Sequence, residues 1–152
     1  MARELRYWDS VCFLAVMKDE PKSQLCDGVI QAAEAGDVLI VTSTWTLTEV
    51  IRIKGWDSMT EAEDGVIRGF FERDYIALRA VTEEIGHLSR QLAWQQRYSP
   101  KDAIHVATAL DAKCAVLDTF DRNLIRRGAP KGSDLRITRP DLPYQGDLAF
   151  DD

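Results

Sequence analysis

The 152-residue chain predicts an α/β fold, a three-layer α/β/α sandwich around a mostly parallel central sheet. Three observations carry that expectation. Short apolar runs at residues 5–8, 38–41, 75–78, 114–117 and 135–138 alternate with stretches of helical periodicity. The run Val38-Leu39-Ile40-Val41 has no polar alternation, the pattern of a strand covered on both faces. Helix start and stop residues punctuate the intervals between runs.

Taken in order, residues 5–8 form a first short strand that ends at Asp9, and residues 10–17 turn apolar at helical spacing. Pro21 breaks the chain. Residues 23–35 read as a second helix with Leu25, Val29, Ile30 and Ala33 on one face and Gly36 as its stop. After the strand at 38–41, residues 42–54 read as a helix with Leu47, Val50 and Ile51 inward. Thr60 and Glu63 have capping-box spacing and open another helix through Val66, Ile67, Phe70 and Phe71. A third strand at 75–78 precedes a long helix at 82–96. Ser99-Pro100 then starts the helix on which the reading turns: a hydroxyl able to cap, followed by a ring preset to helical φ. Its residues Ala103, Ile104, Ala107 and Leu110 are small or apolar at helical spacing. The strand at 114–117 ends in the polar turn Asp118-Thr119-Phe120-Asp121, and a last strand lies at 135–138. Residues 1–140 are expected to form one domain and residues 141–152 an extended acidic, proline-containing tail.

Composition bounds the class. The longest apolar run, Val11 to Met17, is too short to cross a bilayer, so a cytoplasmic protein without a membrane partner is expected. Cys12, Cys26 and Cys114 are odd in number and scattered, which argues against a disulfide framework and a zinc site. The net charge of −6 argues against a general nucleic-acid coat protein. Between Arg122 and Arg139, however, six basic residues face one acid, Asp134, a local +5. Such a segment suits phosphate contacts and suits a solvated loop equally well.

Four acids stand at telling places. Asp9 and Asp121 follow strand ends; Glu49 and Asp102 lie near the starts of helices that leave the same sheet edge. Each has a plain explanation as a cap or a helix-end charge: Asp9 before Ser10, Glu49 three after Thr46 or paired with Arg52, Asp102 three after Ser99, Asp121 before the turn that ends at Gly128. Jointly they fall at the carboxyl ends of parallel strands, where ligands of open α/β sheets bind. Converging carboxylates repel one another unless a cation neutralises them. An all-oxygen donor set suits Mg²⁺ or Mn²⁺.

Four stretches resemble a known family. Tyr7-Trp8-Asp9-Ser10, Thr42-Ser43-Thr44-Trp45-Thr46-Leu47-Thr48-Glu49-Val50, Lys101-Asp102-Ala103-Ile104-His105-Val106-Ala107-Thr108-Ala109 and Leu117-Asp118-Thr119-Phe120-Asp121-Arg122 resemble, in order and spacing, the motifs of PIN-domain proteins of the VapC toxin-ribonuclease type. The resemblance covers roughly residues 5–140. It implies a PIN-like fold and a Mg²⁺- or Mn²⁺-dependent endoribonuclease with Asp9, Glu49, Asp102 and Asp121 as metal-binding and catalytic acids. It also implies a cognate antitoxin and a homodimer built on the helices from Thr42 and Thr60. Thr119 matches a hydroxyl residue that orders the site, and Ser10 matches the hydroxyl after the first acid. Val11 departs from the asparagine common there.

On this reading Asp9, Asp102 and Asp121 ligate one ion, and Glu49 ligates a second or orients the attacking water. His105, one turn after Asp102, is near enough to support the ligands, but the reading favoured is a packed or capping histidine. Arg122, Arg126 and Arg127 are candidates for RNA phosphate contacts. Trp45, Trp56, Trp94 and Phe70-Phe71 could stack on bases, though helical spacing favours core or subunit contacts. Asp118 is expected to be peripheral or solvent-facing. A catalytically silent scaffold that binds RNA or protein is the alternative, and a phosphatase-like domain is disfavoured because Asp9-Ser10-Val11 lacks a nucleophilic Asp pair.

Overall fold

The computed structural model describes residues 3–53 and 59–145. Five parallel strands form one sheet in the order β3-β2-β1-β4-β5. They are β1 (Glu4–Trp8), β2 (Val38–Ser43), β3 (Ile76–Arg79), β4 (Val116–Asp118) and β5 (Arg136–Thr138). The helices are α1 (Ser10–Met17), α2 (Gln24–Glu34), α3 (Thr44–Glu49), α4 (Glu61–Phe71), α5 (Glu83–Gln95), α6 (Pro100–Asp111) and α7 (Arg122–Arg127), with a 3₁₀ turn at Pro21–Ser23. The expected α/β/α architecture is the observed one.

β1 is central, pairing Leu5 with Leu39 on one side and Tyr7 with Leu117 on the other. The strand order therefore reverses between β1 and β4, and a crevice opens beyond the carboxyl ends of strands at such a reversal. One apolar cluster packs α1, α2 and α4 on one face around Phe13, Val29, Ile40 and Phe70. The other packs α5 and α6 around Tyr7, Ile85, Leu92, Val106 and Leu117. Phe13, Phe70 and Phe71 form an aromatic nest with Trp8 beside it. Phe70 and Phe71 are thus core residues, whereas Trp45 and Trp94 are exposed, Trp94 by 70 %. Trp56 lies outside the described residues.

The local signals acted as their chemistry requires. Glu63 accepts the Thr60 backbone N–H at 2.8 Å, closing the capping box. Gly36 follows α2 with φ of +87°, a left-handed position that favours glycine. The expected helix over 42–54 is shorter. Thr42 and Ser43 extend β2, Ser43 caps α3, and Val50 at φ −95° and ψ 86° ends it. The turn after Asp121 is a short helix, α7.

Of the expected tail, residues 141–145 lie against the body. Asp141 pairs with Arg6 at 2.7 Å and with Arg136 at 2.8 Å, and Gln145 N–H donates to the Gln31 side chain. Gly28 on α2 makes room for this segment, since a side chain there would strike the Leu142 carbonyl. Among the described residues no helix is long and apolar enough to cross a membrane.

Candidate active site

Asp9 leaves the end of β1 and caps α1. Its Oδ1 accepts from Val11 N at 3.1 Å and Cys12 N at 3.3 Å. Its Oδ2 accepts from the Thr119 hydroxyl at 2.5 Å, which ties the end of β1 to the segment just past β4. The same Thr119 oxygen accepts from the Asp121 amide at 3.1 Å. Asp121 in turn caps α7, with Oδ1 accepting from Asn123 N at 2.9 Å and Leu124 N at 3.3 Å. Asp9, Thr119 and Asp121 are therefore one hydrogen-bonded unit. The capping role is real for both acids, yet in Asp121 it uses a single carboxylate oxygen.

Asp102 sits in the first turn of α6, where the Ser99 hydroxyl accepts its backbone N–H at 3.1 Å. Burial pushes the Asp102 carboxyl above its ordinary value; the Ser99 hydroxyl opposes the rise, and the charge of Asp121 adds to it. Burial likewise raises Asp9, against His105, Thr119 and the Cys12 amide, and the charge of Asp102 adds to it. Asp102 thus feels Asp121 on one side and acts on Asp9 on the other. Asp9, Asp102 and Asp121 therefore lie within electrostatic reach of one another near the reversal of strand order.

Glu49 arrives from the end of α3. The cap and Arg52 explanations do not hold for it: Ser43 is the N-cap, and Arg52 bonds the Ile51 carbonyl. Its Oε1 lies 3.0 Å from His105 Nε2 and its Oε2 lies 3.2 Å from Lys101 Nζ. Burial would raise its pKa, but the hydrogen bonds and charge of His105 and Lys101 outweigh burial and hold the carboxyl below the ordinary range. Both partners lie on α6 close to Asp102 in sequence, which ties Glu49 to the helix that carries that acid.

These acids test the fit of a divalent cation. The donors are hard carboxylate oxygens, and the nearest thiol, Cys12, donates to the Asp118 carbonyl at 3.4 Å and contributes no soft ligand. Asp9 and Asp102, each raised by burial and then by a neighbouring carboxylate (Asp102 and Asp121 respectively), carry charge that a cation would neutralise. Carboxylate oxygens of this kind are the donors that a hard divalent cation takes. Among the described residues no three or more His, Cys, Asp or Glu side chains stand close enough together to hold a metal ion.

A family model for the PIN domain matches residues 6–130. The chain belongs to the PIN domain family.

Solved structures agree on the fold. The VapC20 toxin of Mycobacterium tuberculosis, described as cleaving the sarcin–ricin loop, aligns with a TM-score of 0.62 at 12 % identity, over 86 % of this chain and 98 % of its own. VapBC2 from Rickettsia felis, bound to a DNA fragment of its promoter, aligns with a TM-score of 0.61 at 13 % identity, over 88 % and 98 %. A toxin–antitoxin complex from Klebsiella pneumoniae aligns with a TM-score of 0.54 at 19 % identity, over 76 % and 86 %. No curated protein matches the chain.

The remaining positions of this PIN domain are placed as follows. Ser10 is buried beside Asp9 as the first residue of α1, and Val11 contributes its backbone N–H to the Asp9 cap. His105 is buried, bonded to Glu49 and, through Nδ1, to the Tyr7 hydroxyl at 2.6 Å. Arg122, Arg126 and Arg127 are exposed on α7, directly after Asp121, and Arg126 donates to the Asn123 side chain at 2.6 Å.

Asp118 corrects the sequence reading. It is not solvent-facing but fully buried, accepting from Arg6 Nε at 3.0 Å, Arg6 Nη2 at 2.6 Å and Trp8 Nε1 at 2.9 Å. Strand alternation does turn it away from Thr119, but that other face is covered too. The signal for this lies in Arg6 itself, since an arginine inside a strand expected to be buried needs a carboxylate.

Proposed function

We propose that this chain is a divalent-metal-dependent endoribonuclease that hydrolyses RNA phosphodiester bonds and serves as the toxin of a toxin–antitoxin pair. The observation that carries the reading is the link from Asp9 through Thr119 to Asp121 at the switch between β1 and β4, with Asp102 near enough to act on Asp9 and to feel Asp121. The resemblance of all four motifs and the likeness of fold to toxin and toxin–antitoxin structures support it.

In this reading Asp9, Asp102 and Asp121 hold Mg²⁺ or Mn²⁺, and Glu49 ligates a second ion or orients the attacking water. An ion held there would supply Lewis-acid polarisation of the phosphoryl group and a more acidic water. The chain does the rest. Thr119 fixes the rotamers of the acids, Ser10 packs the turn beneath Asp9, and Arg122, Arg126 and Arg127 attract the RNA backbone. A peptide segment of the antitoxin would cover the acidic crevice. The exposed Leu47 and Ile51 beside α3, with Val66 on α4, suit a homodimer contact. The three free thiols suit the cytoplasm.

Incubating the chain with a labelled RNA pool tests this. Cleavage is expected with Mn²⁺ and not with a chelator, and Asp102→Asn should abolish it while keeping the fold. Intact RNA under every metal condition would leave the silent-scaffold reading in its place.

A further inference from the structure

We propose that His105, backed by Tyr7, is a positioning residue that donates a hydrogen bond from Nε2 to Glu49 and so fixes that carboxylate at the site, an inference that rests on Glu49 belonging to the metal-binding set. The geometry is a buried chain of three side chains from three elements. Tyr7 of β1 is fully buried and His105 of α6 is 1 % exposed. The Tyr7 hydroxyl lies 2.6 Å from Nδ1, and Nε2 lies 3.0 Å from Glu49 Oε1. The Tyr7 and His105 rings meet edge-on, with centroids 5.6 Å apart, so the imidazole has little room to turn.

Donor and acceptor chemistry fixes the direction. Glu49 stands between two basic side chains, with Lys101 Nζ 3.2 Å from Oε2 and Nε2 of His105 3.0 Å from Oε1, and a carboxylate so placed accepts. Nε2 must therefore carry hydrogen. In the neutral ring Nδ1 is then bare and needs a donor, which the Tyr7 hydroxyl supplies.

The consequence falls on Glu49. It ends a helix of only six residues, and Val50 after it has left helical geometry, so its backbone alone restrains the side chain weakly. His105 commits Oε1. Oε2 is paired with Lys101, whose side chain is 54 % exposed and free to leave. Outer partners of this kind orient metal ligands, and their loss weakens metal affinity by about 10–100-fold.

The test uses the full chain, with ring ¹⁵N spectra of His105 and Mn²⁺ titration calorimetry on the wild type, Tyr7→Phe, His105→Leu and His105→Gln. Expected are a protonated Nε2 in the wild type and in Tyr7→Phe, and a shifted Nδ1 resonance in Tyr7→Phe alone. Mn²⁺ affinity should fall about tenfold or more in His105→Leu. It should be restored to near wild type in His105→Gln, whose amide can reach Glu49. A bare Nε2 in the wild type overturns the proposal, as does a folded His105→Leu that binds Mn²⁺ like the wild type. If His105→Leu fails to fold, the ring spectra and the Gln variant decide. A wild type that binds no Mn²⁺ counts against the nuclease reading, while the ring spectrum still decides the bond from His105 to Glu49.

Discussion

Thr119 donates its hydroxyl proton to Asp9 across 110 residues of chain and accepts the amide proton of Asp121 with the same oxygen. One side chain thus sets the spacing between the first and last acids of the crevice. Thr119→Val keeps the shape and removes both bonds. It should lower Mn²⁺-dependent RNA cleavage by about 10–100-fold, measured as initial rates at saturating metal. It should cost about 1 kcal/mol of stability by urea denaturation. Unchanged rates would mean that Asp9 and Asp121 hold their positions without it.

Asp102 should make stability depend on pH in a direction that ordinary ion pairs do not. Its folded-state pKa is raised by burial and by Asp121. Its contribution is therefore complete below the unfolded carboxylate value, about pH 4, and is lost as pH rises through the folded value. In chelator, Asp102→Asn should melt higher than the wild type, by a margin that grows between about pH 4 and pH 7. With Mn²⁺ the order should reverse, because only the wild type gains from the ion. A margin independent of pH would show that Asp102 carries no strain of charge.

How much of the site is legible in the sequence depends on what each residue's neighbours are. Asp9, Asp102 and Asp121 can be read because each stands at an element boundary, and boundaries of alternating strands and helices fall on a known edge of the sheet. Thr42 and Ser43 cannot be assigned so simply. Their hydroxyls suit a helix start, but Thr42 donates to the Trp8 carbonyl at 2.7 Å, a bond that keeps it in β2. Asp118 escapes the pattern because alternation tells which face a side chain takes, not whether that face is covered. Trp94 escapes it for the opposite reason, as helical spacing does not guarantee burial. His105 is visible as a neighbour of Asp102, but Tyr7 and Lys101 give no signal, since their roles arise only when β1 and α3 meet α6.

The Arg6–Asp118 pair bears on the fold and not on the chemistry. Arg6→Met would leave the buried Asp118 without its main partner inside the sheet. A loss of about 3–5 kcal/mol is expected from breaking a buried pair, read as a lower urea midpoint. A loss under about 1 kcal/mol would put the pair in the class of exposed salt bridges.

The arginines of α7 should act through charge. Replacing Arg122, Arg126 and Arg127 with Gln in a chain also carrying Asp102→Asn should weaken binding of single-stranded RNA and flatten its salt dependence. The slope of log affinity against log salt should fall by about 0.7 for each phosphate that the chain ceases to neutralise. An unchanged slope would assign these residues to solvent alone.

The claim on which the rest depends is that separate acids make one cation-holding crevice. Mn²⁺ titration of the wild type beside Asp102→Asn measures it most directly. The account predicts saturable binding to the wild type and a loss of affinity of about tenfold or more in the variant, with an intact far-ultraviolet spectrum. Equal binding by the two chains, or none by the wild type, would contradict it.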